Sequence, residues 1–290
     1  MKKYLKFLIL LLLLFSCSTT RVPHEPSIFM WEIESGKATV YLLGSIHLAN
    51  DSLYPLDKRI EEAFDDSDAL VVELNINEVN PTDVMKKAYY NDTNLLEYNV
   101  SVKTFALFTD SFAKHKIPKY IFNKFKPWFA ALMLEQLELK AMGYNEKQGI
   151  DKHFLDKAKS KKEIIELETF AEQLALFEEL EKNSDDFVKY SFDDLNKSTQ
   201  NIGKMFSAWK IGNTKVFEEL INDASDTIPS MKEITAKFID KRNVKMSEKI
   251  QGFLQKKGVY FVVVGSGHIV GNKGIISLLE QTKKYRIEQY

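Results

Sequence analysis

The chain has 290 residues, 40 Lys and Arg against 41 Asp and Glu, and a formal net charge of −1. Both signs are mixed along its length, which excludes the one-sided basic footprint of a nucleic-acid binder. Cys17 is the only cysteine, so no intramolecular disulfide can form.

Lys2, Lys3 and Lys6 form a basic start, and the apolar run Leu8–Phe15 that follows has signal-peptide length, too short to span a bilayer. Leu14-Phe15-Ser16-Cys17 resembles a bacterial lipobox, with Phe15 bulkier than the usual residue. That resemblance implies cleavage before Cys17 and lipid on its sulfur and new amino group, in an envelope compartment. Residues 1–16 are therefore expected to be a lipoprotein signal peptide and 17–27 a polar, proline-containing tether. Residues 28–290 are expected to form a single domain. Past the leader, no hydrophobic stretch approaches membrane-spanning length.

Ile28–Glu34 and Ala38–Leu43 predict a hairpin turning at Glu34-Ser35-Gly36-Lys37. The second strand runs into Gly44-Ser45-Ile46-His47, and the irregular Leu48–Pro55 that follows could wall a cleft. Leu56–Phe64 has helical spacing; Ala69–Leu74 is an apolar strand, buried on both faces, that carries Glu73 at its rim. A buried carboxylate there needs a cationic partner, a side chain or a metal. From Pro81 to about Lys159 the pattern is mostly helical. Pro81 opens one helix. Pro127–Met142 forms another, its apolar stripe passing through Phe129, Leu132, Met133, Gln136, Leu137 and Met142, with Gly143 as its cap. Those Phe and Met residues read as core rather than as a cofactor box. Gly149-Ile150-Asp151 leads into a helix carrying His153, Phe154 and Leu155.

Glu163–Glu168 is the next strand, ending in a second candidate carboxylate, Glu168. Thr169 with Glu172 forms a capping box for the helix after it. Asn183–Gln255 is helical and highly charged. Within it, Arg242 of Asp240-Lys241-Arg242-Asn243 could pair with Glu73 or orient a substrate carbonyl. Tyr260–Val264 is a strand running into Gly265-Ser266-Gly267-His268, an echo of the first Gly-Ser-x-His. Gly274–Leu279 is helical and Tyr285–Glu288 is a last strand. The expected fold is α/β (α+β-like): a central sheet assembled from N- and C-terminal strands around a large helical middle. Each of His47 and His268 then sits just past a strand end, on a turn opened by glycine, where open α/β sheets bind ligands. Two histidines in matching contexts point to one shared polar site.

An ordered set of stretches carries a family resemblance: MWEIESGKATVYLLGSIHLAN, YPL at Tyr54–Leu56, VVEL at Val71–Leu74, KPWFAALML at Lys126–Leu134 and GYNEKQGIDKHFLDKAK at Gly143–Lys159. It continues through ELETFAEQLALF, AWKIGN, DKRNVKMSEKI and VVVGSGHIVGNKGIISLLE. Together they resemble the bacterial TraB/GumN family (the TraB–PrgY–GumN group), related to the Tiki metalloproteases and more distantly to ChaN-like and erythromycin-esterase-like proteins. Ser45 and Ser266 stand where that family often has Thr or Ala, and Lys245-Met246 where an aromatic is common. The resemblance implies a divalent-metal site in a hydrolase. Position by position it falls on His47, His268 and Glu73, with Gly44, Ser45, Gly265, Ser266, Glu168 and Asn243 around them.

Residue chemistry is compatible with this. Two imidazoles and a carboxylate can hold one divalent ion with open positions, permissively for manganese, cobalt or zinc. Glu73 would be a ligand or, failing that, a general base, and Arg242 could stabilise an oxyanion. The glycines would turn the backbone sharply and leave room for substrate. HExxH spacing is absent, so this is not a zincin. The expectation is an envelope hydrolase acting on peptides, held to the membrane by lipid on Cys17. The alternatives are a non-catalytic protein sequestering a peptide or haem-like ligand, and an envelope scaffold. Pairing of the amphipathic middle helices into a homodimer is left open.

Overall fold

A computed structural model describes residues 27–91, 93–225 and 236–290. The signal-peptide segment and Cys17 lie outside the described residues, as does all of the tether but its last residue.

Six strands make one sheet in the order β4-β3-β5-β2-β1-β6. They are β1 (Met30–Glu34), β2 (Ala38–Ser45), β3 (Ala69–Val72), β4 (Glu163–Glu166), β5 (Gly258–Gly265) and β6 (Arg286–Gln289). β1 and β2 form the expected antiparallel hairpin, with Met30 opposite Leu43 and Gly36 at φ +77 in the turn. That left-handed angle is where glycine is preferred. β2, β5, β3 and β4 run parallel, with Ser45 beside Gly265 and Val72 beside Val263. β5 thus inserts between two N-terminal strands, and the sheet is assembled from both ends of the chain. Its central strands are buried, including Leu42, Leu43, Leu70, Val71 and Phe261–Val264. Burial on both faces is what unbroken apolar runs in parallel strands require.

Helices cover both faces. On one, Phe154 of the Ile150–Ala158 helix packs between Phe64 of the Lys58–Asp66 helix and Phe261, with ring centroids 5.0 and 4.8 Å away. On the other, Phe253 of the Lys241–Leu254 helix lies 4.9 Å from the neighbouring Tyr260. Both long helices therefore begin near the rim where the parallel strands end, which places Asp151 on one side of that rim and Arg242 and Asn243 on the other.

A second hydrophobic cluster fills the helical middle, with Phe112 stacked on Phe122 at 4.7 Å and Trp128 on Phe177 at 5.1 Å. The Phe-rich stretch is core, as expected. The expected stripe faces inward only in part: Phe129, Leu132, Met133 and Leu137 are partly buried against this cluster. The Pro127–Ala141 helix buries Trp128, Ala130, Ala131, Leu134 and Leu139, while Gln136 and Met142 are exposed. Apolar residues occur on nearly every side of this helix, so spacing alone does not select the buried face. Other boundaries move by one to three residues. The first helix starts at Lys58 because the Asp57 side chain caps it by accepting from Arg59 N. β3 ends at Val72 and β4 at Glu166, which leaves Glu73 and Glu168 just beyond their strands. Among the described residues no helix is long and apolar enough to cross a membrane.

Candidate functional site

The site lies at the carboxyl ends of β2, β3 and β5. Its centre is Gly265, the last residue of β5. A Cβ there would stand 3.4 Å from Glu73 Oε1, 3.5 Å from His47 Nε2 and 3.6 Å from His268 Cδ2. Three side chains contributed by residues far apart in the chain thus surround one backbone position. Gly265 has φ −52 and Gly44 lies inside a strand, so the sharp turns expected of them are not what they supply. Gly265 leaves these three side chains room to close around its backbone, at distances where a Cβ would be in ordinary contact with all of them. Gly44 serves packing, since a Cβ there would come within 2.5 Å of the Phe29 ring and 2.8 Å of Ser266 Oγ. Its carbonyl accepts from Trp209 Nε1 at 2.7 Å.

His268 belongs to a short helical turn, Ser266–Ile269, and is buried. Its Nδ1 lies 2.7 Å from Asn243 Oδ1, and Asn243 Nδ2 donates to the Lys273 carbonyl at 2.8 Å. With the amide nitrogen so engaged, Oδ1 must accept, and Nδ1 carries the proton. Burial pushes the His268 imidazole below its ordinary range. The neutral ring then presents a bare Nε2 to the site, 3.8 Å from Glu73 Oε2.

His47 is built differently. Its side chain is 64% exposed at the mouth of the site, and Nδ1 pairs with Asp151 Oδ1 at 2.9 Å. Two segments stitched together hold that pair: Ile150 N donates to the Ile46 carbonyl, and Ala49 and Asn145 exchange backbone bonds. Loss of hydration opposes the charge on His47, but only in part because the ring stays open to solvent. Asp151, and Glu73 further off, hold it as an imidazolium with a pKa raised to about 9.

Glu73 accepts from the Gly265 amide at 2.6 Å and from Arg242 Nη2 at 2.5 Å. Burial works against its charge, but His268, Arg242, His47 and the Gly265 amide bring its carboxyl down to about 2. His268 is neutral by the argument above, so the permanent charge of Arg242 is the dependable part of that field. Arg242 Nε and Nη2 also grip Glu168, at 2.8 and 2.6 Å, and Nη1 donates to the Phe238 carbonyl. Of the two roles expected for Arg242, the pairing with Glu73 is the one the structure shows, and Nε, Nη2 and one Nη1 hydrogen are committed to two carboxylates and a carbonyl. Arg242 is a clamp that positions Glu73. Glu168 is the clamp's second anchor, bonded also by Gln173.

The sequence therefore brings together His47, His268, Glu73, Arg242, Glu168, Asn243, Gly265 and the two serines. Asp151 was not singled out among them. The stretch GYNEKQGID contains it, but nothing in the spacing ties it to a histidine 104 residues away.

The donor types are ones a divalent ion accepts, but the His47 imidazolium would first have to release its Nε2 proton. Each imidazole has its Nδ1 tied to an oxygen acceptor, the usual orientation of a metal-binding histidine, and its Nε2 on the side of the shared carboxylate. Among the described residues, no three His, Cys, Asp or Glu side chains are gathered into a group that could hold a metal ion in this arrangement. A cleft of about 500 Å3 beside Tyr90, Lys126 and Glu181 shares no residue with the site.

Comparison with known proteins gives one family. The chain matches the model of the TraB/PrgY/gumN family over residues 29–289. It is similar to the uncharacterized protein YbaP of Escherichia coli strain K12, 23% identical over 245 residues that cover 84% of this chain and 89% of the relative. The YbaP of Shigella flexneri matches to the same extent. No solved structure matches.

Proposed function

The chain belongs to the TraB/PrgY/gumN family, and from that premise we propose that it is a metal-dependent hydrolase acting on peptides, held at the cell envelope by lipid on Cys17. One observation carries the reading: His47, Glu73 and His268, from opposite ends of the chain, face the same backbone position, each fixed by a dedicated partner. His47 Nε2 and His268 Nε2 would hold the ion, with Glu73 as the third donor. A bound manganese, cobalt or zinc ion supplies a water of lowered pKa and polarises the carbonyl under attack.

The chain's own residues prepare this chemistry. Asn243 fixes the His268 tautomer, so no proton stands on the nitrogen that faces the site. The Asp151 carboxylate aims His47 and raises its donor strength. Arg242 and Glu168 keep Glu73 ionised and in place. A carboxyl held below its ordinary range by Arg242 is a weak proton acceptor, which supports a ligand role for Glu73 over the general-base alternative.

The test is cleavage of an unbiased peptide library by metal-loaded protein, read by mass spectrometry. Cleavage that chelator removes and metal restores supports the proposal. Metal bound without any cleavage would contradict it, and a Soret band on adding haem would then favour sequestration. Asp151→Asn keeps the shape of the His47 contact and removes its charge. It is expected to weaken metal affinity by about 10- to 100-fold, as loss of the group that orients a metal-binding histidine does, measured by calorimetry against the wild type.

A further inference from the structure

Among the described residues, the buried side-chain polar atoms without a hydrogen bond are Ser45 Oγ, Trp128 Nε1 and Glu181 Oε1. Glu181 Oε1 faces Lys126 Nζ at 2.6 Å, and Trp128 belongs to the separate helical cluster. Ser45 stands in the site. The residue is 4% exposed, so its hydroxyl is withdrawn from bulk water with no protein partner. Such a group is costly to leave unpaired.

Its direction follows from register. Ser45 pairs with Gly265 in the parallel ladder of β2 and β5, and paired residues of adjacent strands face the same side of a sheet. The Cβ direction of Gly265 leads to Glu73, His47 and His268. The Cβ direction of Gly44, one residue earlier, leads to Phe29 on the other side. Ser45 is therefore turned toward the three candidate donors. Its backbone is held from both sides: Trp209 Nε1 donates to the Gly44 carbonyl and Ser266 Oγ to the Ser45 carbonyl at 2.9 Å. The hydroxyl is the remaining free group on a rigid strand end.

We propose that Ser45 Oγ is the substrate-facing hydrogen-bond donor of this site, bonding the carbonyl oxygen of a peptide as it becomes the tetrahedral oxyanion. Arg242, with four of its five N–H donors on Glu73, Glu168 and Phe238, is occupied as a clamp. No bond to Ser45 forms or breaks; the hydroxyl donates a hydrogen bond only. A preorganised donor away from water acts most strongly where charge develops. This inference rests on the hydrolase reading above, and its test separates the two.

Three quantities are measured on full-length wild type, Ser45→Ala and Ser45→Thr: the Tm of the ligand-free chain, manganese affinity, and affinity of the manganese-loaded chain for a phosphinic dialanine, a mimic of the tetrahedral state. Ser45→Ala should leave Tm equal or higher, because no partner is lost, and leave manganese affinity unchanged. It should weaken the phosphinate by about 100-fold, the lower end of the effect of removing one oxyanion donor. Ser45→Thr, which keeps a hydroxyl, should recover most of that loss. A Tm several degrees lower in Ser45→Ala would overturn the proposal without any ligand, by showing that the hydroxyl is already bonded within the fold. Unchanged phosphinate binding in Ser45→Ala would overturn it while leaving the metal site intact. A wild type that binds neither manganese nor phosphinate would overturn the hydrolase reading, and this role with it.

Discussion

Arg242→Met should destabilise the protein by about 3–5 kcal/mol, the cost of breaking a buried ion pair from one side. The side chains of Arg242, Glu73 and Glu168 are 14%, 13% and 6% exposed, so water cannot take over the solvation of two abandoned carboxylates. Glu168 would keep Gln173, and Glu73 would keep the Gly265 amide, but both would lose the guanidinium that holds them. Removing the charges together should behave differently. Arg242→Met with Glu73→Gln and Glu168→Gln leaves no buried charge and should recover much of the loss, since whole buried ion clusters replaced at once are often neutral. Guanidinium unfolding of the three proteins decides this. A loss below about 1 kcal/mol in the single variant is the size seen for exposed pairs and would contradict the clamp.

Gly149→Ala should lower stability and loosen the His47 side of the site together. A Cβ on Gly149 would stand 2.2 Å from the His47 carbonyl oxygen, and 3.1 Å from that of Glu146. The obstacle is backbone, so no side-chain rotation relieves it. Overfilling a packed region costs about 1–3 kcal/mol. The strain falls on the Ile150 N to Ile46 carbonyl bond, which carries Asp151 to His47. Metal affinity should fall in parallel with that of Asp151→Asn. Gly252→Ala gives the opposite sign. It sits in the last turn of the Lys241–Leu254 helix with nothing within 4 Å of its Cβ position, and should stabilise by at most about 0.5–1 kcal/mol, the mid-helix value. Equal melting temperatures for the two variants would refute the close approach at Gly149.

These expectations also mark how much of the site could be read from the chain. The strands were legible because β2, β3 and β5 are apolar runs buried on both faces, and the Gly-Ser-x-His repeats placed both histidines at the same sheet edge. Glu73 was legible as a carboxylate ending such a strand. Its pairing with Arg242 was among the readings, but the partners of the two histidines were not legible. Asp151 and Asn243 come from the first turns of helices on opposite faces of the sheet, and no local pattern says which histidine each meets. For Arg242 the sequence leaves two roles open, pairing with Glu73 or orienting a substrate carbonyl, and its grip on Glu168 is a fact of packing that no spacing shows. The inward face of Pro127–Ala141 is wider than the expected stripe for a related reason. Where apolar residues surround a helix, its neighbours choose the buried side. Gly44 was assigned a turn, whereas the Phe29 ring and Ser266 explain it.

The central claim is that the two ends of the chain build one metal site, and metal titration tests it most directly. Full-length protein is stripped with chelator and titrated with manganese, cobalt and zinc by calorimetry, beside the double variant His47→Ala/His268→Ala. The account predicts one ion per chain, with binding lost in a double variant that still unfolds cooperatively. Folded wild-type protein that takes up none of these ions, or a double variant that binds as tightly as wild type, would contradict it.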